Sequence, residues 1–492
     1  MAVSFTNVPS GILVPLFYAE LDNSAANTAQ STLVTLLIGQ MTAGKAEALK
    51  PVLVSSAAQG YELFGHGSQL GVMNAAYRAN NTVGEVWAIP LADPSGTKAS
   101  ATVTFTGTPT EAGTVSLYVN GHRVQAGVAL TDTVTEIAAN VSAAVNAQTD
   151  LPVTASASSG VVTFNAKNAG LAGNDFTLTV NLQGYAAGEV LPEGIAAEAT
   201  GFSGGTGTPD LAAAIKAMGE EQYDLIAVPY SDAGTLTALA AEMNDASGRW
   251  SPMRQLYGHV FTVARGDASA LQAVGSGRNN QHETIVGLPS AVPSAAIEVL
   301  GAYVGRAASA LNNDPARPLQ TLELQGITAA PAGSRFNLSE RQTLLSSGIS
   351  TLYTKQGGTV AIERAVTTYQ TNSYGSDDNS YLDVNTLFTL AYILRDLKSV
   401  ITSKYPRHKL ASDGTHFGSG QAVVTPSLIR AELIAEYGKL EDAALVEDLD
   451  TFKSELVVER DASDPNRVNV LLPPNLVNQL RIFAVLTQFR LN

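Results

Sequence analysis

The chain has 492 residues, more than one ordinary hydrophobic core accommodates, so two to four domains are expected. Its 29 Lys and Arg against 44 Asp and Glu give a net charge of −15, a field that opposes binding to nucleic acid and other polyanions. Charged residues are only 15 % of the chain and apolar ones 45 %, which points to a surface covered by copies or partners, while zero cysteines exclude disulfides, thiolate chemistry and cysteine-ligated metals.

The first segment, Phe5 to Tyr18, is apolar and β-prone but broken by Pro9 and Pro15, which demotes it to an edge or isolated strand. No signal peptide is read in it, and no run of about 18 apolar residues offers a membrane span anywhere, so membrane insertion is not expected. From Ser31 short apolar runs alternate with helical stretches. Leu33–Ile38, Pro51–Val54, Val86–Pro90, Asp224–Val228, Val260–Ala264 and Thr284–Gly287 suit buried strands, with helices over Ser68–Ala79 and Ser294–Leu311. This rhythm predicts an α/β layer with a largely parallel sheet.

Residues 97 to about 200 break the pattern. They are crowded with Thr, Val, Ala, Ser and Gly and hold three basic residues, Lys98, Arg123 and Lys167. Alternating runs at Val103–Thr106, Val115–Val119 and Arg123–Ala126 with Asn120-Gly121 predict a hairpin, and Thr133–Asn146 one helix. Pro94–Gly96 and Gly201–Gly207 bracket the segment as hinges, so an inserted, solvated β-rich domain is expected.

Farther on, Ser339 with Gln342 has capping-box spacing, and Gly357-Gly358 separates two β-prone runs as a hairpin. Leu387, Leu390, Leu394, Leu397 and Ile401 predict a long amphipathic helix, followed by helices near Ser427–Tyr437 and Ala443–Phe452. The run Leu480–Leu491 is apolar on both alternating faces; a strand of that kind has to be sandwiched, and no later segment of the chain covers it.

No catalytic or metal-binding constellation emerges. The six histidines lack the spacing of a metal face, Gly201–Gly207 lacks the Gly-Lys-Ser/Thr of a phosphate loop, and no nucleophile elbow is present. Asp377, Asp378 and Asp383 form a cation site or a solvated loop and cap; the eleven Asp and Glu of residues 432–464 form a solvated face or meet a basic partner. Arg395, Lys398, Lys404, Arg407 and Lys409, opposed only by Asp396, complement a helix C-terminus or dock an acidic surface. No enzyme, no cofactor and no metal are expected; the residues describe a protein that works by contacts.

An ordered series in the C-terminal third carries a resemblance. Ser380-Tyr381-Leu382-Asp383-Val384-Asn385 leads through the long helix to Lys404-Tyr405-Pro406-Arg407-His408-Lys409-Leu410. Val424-Thr425-Pro426, Val458-Glu459-Arg460-Asp461-Ala462-Ser463-Asp464-Pro465 and Leu471-Leu472-Pro473-Pro474-Asn475 follow. This series resembles the tail sheath proteins of Mu-like contractile-tailed bacteriophages. Phe64-Gly65-His66-Gly67-Ser68 and Ala166-Lys167-Asn168-Ala169-Gly170 extend the likeness over essentially the whole chain.

The resemblance implies a multidomain α+β and α/β protein in six parts. They are an N-terminal arm (1–22), a sheath core (23–96 and 206–365), an outward inserted β-rich domain (97–205), a tube-facing domain (366–478) and a C-terminal arm (479–492). It implies stacked hexameric rings in a helical array around a tail tube, capped by baseplate and terminator proteins, assembled in the host cytoplasm and carried in the virion. Contraction would drive the tube through the bacterial envelope for genome ejection, with no cofactor and no direct nucleic-acid contact. The arms are placed at Phe5, Val8, Ile12, Val14 and Phe17, and at Ile482, Phe483, Val485, Leu486, Phe489 and Leu491. The basic cluster is the candidate tube-docking patch. A pyocin-like particle sheath is the nearest alternative; a glycan-binding insert is one of another class, disfavoured because most of its aromatics, Phe105, Tyr118, Phe164, Phe176 and Tyr185, fall at strand-core positions.

Overall fold

The structure, a computed structural model, describes residues 32–418 and 420–491. Strands β1 (Val34–Gln40), β2 (Val52–Leu53) and β3 (Glu85–Leu91) open a central sheet, with residues 35–40 of β1 all buried. A strand buried on both faces needs helices above and below, and helix α1 (Ala57–Phe64) and helix α2 (Gln69–Asn80) begin that cover. Ser68 caps α2, its hydroxyl accepting from the Gly71 amide at 3.1 Å.

The next segment forms two small antiparallel sheets around one helix. Its elements are β4 (Lys98–Gly107), β5 (Gly113–Val119), β6 (His122–Val128), α3 (Val134–Ala147), β7 (Val153–Ser158), β8 (Val161–Ala169), β9 (Leu178–Val180) and β10 (Ile195–Ala199). Strand orders are β10-β4-β8-β7 and β6-β5-β9. Asn120 and Gly121, with φ of 51° and 79°, make the hairpin turn the dipeptide predicts.

The expected hinges are strapped rather than loose. Thr97 N donates to Thr206 Oγ1 at 3.0 Å and Leu171 N to Gly207 O at 2.9 Å, so the two connections lie side by side. The Asp93 carboxylate accepts from Gln40 Nε2, Asn168 Nδ2 and the Ala169 amide at 2.7, 2.7 and 3.0 Å. His122 Nε2 meets the buried Glu298 carboxylate at 2.7 Å. The insert's core, with Phe105, Val141 and Phe164, also takes in Val72 and Ile297 from outside it, so its packing runs into the parallel layer rather than ending at a solvated boundary.

The central sheet resumes through α4 (Leu211–Met218), β11 (Leu225–Ala227), α5 (Ala233–Met243), β12 (His259–Gly266), α6 (Ala268–Ser276), β13 (Glu283–Pro289), α7 (Ala296–Asn313), β14 (Glu323–Thr328), α8 (Leu338–Ser346), β15 (Ile349–Thr354) and β16 (Thr359–Arg364). Its nine strands run β14-β16-β15-β13-β12-β11-β1-β3-β2. The six from β15 to β3 are parallel; β2 and β16 run against them at the two edges, and β14, paired antiparallel to β16, runs with them again. Helices α2 and α7 touch backbone to backbone: a Cβ on Gly301 would sit 2.3 Å from Met73 O, so only glycine fits. The capping box of α8 is Asn337 with Glu340, two residues before the expected Ser339.

The last part holds α9 (Val384–Lys404), β17 (Lys409–Leu410), β18 (Val423–Val424), α10 (Pro426–Asp442), α11 (Leu449–Glu455) and the antiparallel pair β19 (Val457–Arg460) and β20 (Val468–Leu471). The first half of α9 enters the main core with Val384 and Phe388. Its second half packs Ile393, Leu397 and Ile401 against Leu433, Tyr437 and Phe452, with the Tyr437 and Phe452 rings stacked at 3.7 Å. The third predicted helix starts six residues late, because Ala444 and Asp448 take left-handed backbone and Asp448 becomes the N-cap.

Candidate assembly interface

The C-terminal run is held to the body as far as Arg481 and not beyond it. Leu472 and Leu476 pack in the α9–α10–α11 cluster, and Val477 N donates to Leu445 O at 3.2 Å. Gln479 Nε2 reaches Ala316 O at 2.5 Å. Arg481 Nη2 then meets Asp383 Oδ1 at 3.0 Å and its Nη1 meets Gln320 Oε1 at 3.2 Å. Asp383 also takes a two-pronged bond from Arg364, Nε at 3.0 Å and Nη2 at 2.9 Å, the fork geometry that makes arginine–carboxylate pairs specific.

From residue 482 onward no hydrogen bond to the body occurs among the described residues, and none of residues 482–491 lies in a helix or strand. Ile482, Phe483, Val485, Leu486, Phe489 and Leu491 are 67–90 % exposed. Six large apolar side chains in one short run facing water is far outside the scatter of single exposed hydrophobics on a soluble surface. The other predicted arm, Phe5, Val8, Ile12, Val14 and Phe17, lies outside the described residues.

A second exposed feature is the β19–β20 pair. It is a two-stranded sheet with no third strand among the described residues, and Val457, Val470 and Leu471 on it are exposed. A hairpin of this size is marginal alone. Its connection is stiffened by Asp461, which accepts from Ser463 N and Oγ, Asp464 N and Asn469 Nδ2 at 2.7–2.9 Å; these bonds, the Ser463 hydroxyl first, hold its carboxyl well below the usual range. The hairpin therefore presents rigid open edges.

The basic cluster divides. Arg395 turns inward: its guanidinium sits on the buried Asp224 carboxylate at 2.5 Å, donates to Tyr257 O at 2.7 Å and lies over the Tyr257 ring at 5.8 Å. It fastens α9 to the central sheet and cannot serve a docking surface. Lys404 pairs with Glu432. Among the described residues Lys398, Arg407 and Lys409 have no carboxylate partner, and all three are exposed. Asp224 and Arg481 do not stand out in the sequence as fastening points, since nothing local to either names a partner about 170 or about 100 residues away.

Between α9 and α10, Asp396 faces Glu436, which Lys439 holds at 2.8 Å. Burial first, then Glu436, pushes the Asp396 carboxyl up to about 6. A carboxyl raised in the folded state contributes stability that is complete below its unfolded value near 3.8 and is lost as pH rises through about 6. Asp396→Asn is therefore expected to leave stability unchanged at pH 4 and to raise it by about 1 kcal/mol at pH 8, solvent screening having reduced the full shift. Urea unfolding at the two pH values checks this; equal effects at both would rule it out.

Asp377, Asp378 and Asp383 do not gather around a cation: Asp383 is committed to its two arginines, and Asp378 accepts from Tyr369 Oη and Ser380 N at 2.8 and 2.9 Å. Among the described residues no group of three or more His, Asp or Glu converges as a metal site, and no helix is long and apolar enough to cross a membrane. The insert's aromatics Phe105, Tyr118, Phe164 and Phe176 are buried, as strand-core positions require, and Tyr185 is exposed.

Residues 204–368 match the family model of the phage tail sheath protein central domain, and residues 376–490 that of the phage tail sheath C-terminal domain. The chain is 40 % identical over 493 residues to the Mu-like prophage FluMu tail sheath protein of Haemophilus influenzae, covering 99 % of this chain and all of that one. Among solved structures it is similar to a sheath tail protein of Desulfitobacterium hafniense, with TM-score 0.50, 13 % identity and coverage of 96 % and 97 %. A sheath tail protein of Listeria innocua aligns with TM-score 0.49, 12 % identity and coverage of 91 % and 92 %.

Proposed function

The chain belongs to the phage tail sheath family, and from that premise we propose that it is the subunit of a contractile sheath, stacking as hexameric rings around a tail tube and shortening to drive that tube through a bacterial envelope. The observation that carries the reading is the exposed apolar run 482–491, which nothing among the described residues buries. A second copy supplies the burial. The run adds as a strand to an open edge of a neighbour, for which the β19–β20 hairpin offers exposed Val457, Val470 and Leu471.

Magnitudes fit such a lattice. About eight residues paired on one side make roughly four main-chain bonds, each worth about 0.5–1.5 kcal/mol net, or about 2–6 kcal/mol per arm. One arm is too weak to hold a dimer at low concentration, whereas a subunit gripped by several neighbours is held firmly. Contraction is then a rearrangement between two packings of the same rigid bodies, joined throughout by the arms. The role is structural and non-enzymatic. The tube, a baseplate and a terminator are the partners, the virion is the site of action, and assembly takes place in the host cytoplasm.

The patch formed by Lys398, Arg407 and Lys409 is the surface that meets an acidic tube, with Lys404 beside it. Reversing Arg407 and Lys409 to Glu is expected to spare polymerisation of the protein alone and to cut co-sedimentation with its tube at least tenfold. The loss should be reproduced in the unreversed protein by raised salt, since exposed charges are screened within about 10 Å at 0.1 M. Undiminished tube binding by the double reversal would assign the patch to another contact.

A further inference from the structure

Residues 473–481 run along the body and residues 482–491 leave it, and the boundary is marked by one ion cluster. Arg481, only 12 % exposed at its side chain, spends its two terminal nitrogens on Asp383 and Gln320, and is also bonded to Gln479. Gln320 donates in return to Leu480 O at 3.4 Å. Asp383 sits where a helix and a strand of the main body meet: it is the N-cap of α9, and its backbone bridges Val366, two residues past the end of β16. Arg364, the last residue of β16, grips the same carboxylate.

We propose that the Asp383–Arg481 pair is the anchor of the C-terminal arm, fixing Ile482 as its hinge. The inference rests on the reading of residues 482–491 as an arm, and adds where that arm's tension enters the body. Pulled by a neighbour, an extended segment without such a fixing point peels residue by residue, because the bonds of residues 473–481 break singly. With Arg481 clamped, tension passes through Asp383 into the head of α9 and the end of β16 together, so the central sheet takes the load. Arg481 is a positioning residue: it acts through Asp383, Gln320 and Gln479 of its own body and sets where flexibility begins. The arrangement also explains why a carboxylate at the head of α9 makes no capping bond to its own helix, both of its oxygens being taken by arginines.

Trypsin reads the anchor directly, since it cuts after arginine only when the side chain is reachable. In dispersed full-length protein, mass spectrometry is expected to show scission after the exposed Arg407 at least tenfold faster than after Arg481. Asp383→Asn should bring the Arg481–Ile482 cut up to the Arg407 rate with the remaining fragment pattern unchanged. Arg481→Lys keeps a cleavable residue but loses the fork, and should do the same without touching α9. Scission after Arg481 as fast as after Arg407 in the unmodified protein, or continued protection in both variants, overturns the anchor.

Electron microscopy separates the anchor from the arm. Arg481→Lys is expected to form tubes that shed subunits on contraction, while removal of residues 482–492 forms none. If the truncated protein still assembles, the arm reading fails; if it does not and Arg481→Lys tubes survive contraction intact, the anchor alone fails.

Discussion

Removal of residues 482–492 is expected to abolish polymerisation while leaving the body folded. No hydrogen bond from 482–491 reaches the body among the described residues, and the last fixed point is Arg481, which the truncation retains. The melting temperature of dispersed subunits should therefore stay within about 2 °C of the full-length value, since among the described residues the truncation removes no hydrogen bond of the body and only exposed side chains. Loss of an arm removes about 2–6 kcal/mol from each inter-subunit contact, a factor of about thirty or more in its equilibrium constant. Multiplied over a lattice, that is the difference between hollow tubes and dispersed particles in negative stain. Tubes of normal length from the truncated protein would place the cohesive contacts elsewhere, on the bodies themselves.

Asp224→Ala is expected to be the most damaging single substitution at the joint between the central sheet and α9. The carboxylate is 2 % exposed at its side chain, holds Arg395 at 2.5 Å and accepts from the Val34 amide at 2.8 Å and from Gln222 Nε2 at 3.2 Å. Deleting it leaves a mostly buried guanidinium and a strand amide without their partner, a loss of about 3–5 kcal/mol. The double variant Asp224→Ala with Arg395→Met removes the stranded charge and should recover at least half of that loss; the coupling between the two sites reports the pair itself. Urea midpoints of the four proteins provide the cycle. A cost below about 1 kcal/mol for Asp224→Ala would mean that Tyr257 and solvent satisfy Arg395 without the carboxylate.

The parallel layer was legible in the sequence because a strand buried on both faces has to be apolar at nearly every position, and Leu33–Ile38, Val260–Ala264 and Thr284–Gly287 come close to that. Strands β7 and β10 were not, being dominated by Ala, Ser, Thr and Glu with one face wet, which gives little hydrophobic contrast. Residues 443–448 read as helix by composition, but the left-handed backbone at Ala444 and Asp448 is set by the packing of Leu445 and Val446 beneath α10.

The candidate surface was legible in part. The apolar run 482–491 signals its need for cover through residue type alone, and its exposure in the folded chain follows. The basic cluster does not hold together at Arg395 because proximity in sequence ignores helical phase. Arg395 and Lys404 are nine residues apart, about 180° around the helix at 3.6 residues per turn, so they cannot share a face. The fastening of Arg481 to Asp383 depends on two distant segments meeting, which no local pattern encodes. The hinges expected at Pro94–Gly96 and Gly201–Gly207 follow from glycine and proline content; the hydrogen bonds of Thr97 and Thr206 that strap them are long-range and equally silent in the sequence.

An electron cryomicroscopy map of the polymer formed by the full-length protein, traced through residues 482–491, shows where the C-terminal run goes. This segment is expected to leave its own body at Ile482 and run as a strand hydrogen-bonded to the sheet of a neighbouring copy, with Phe483, Leu486 and Phe489 buried between subunits. Density showing the segment folded back on its own body, or unpaired within an intact polymer, would contradict it.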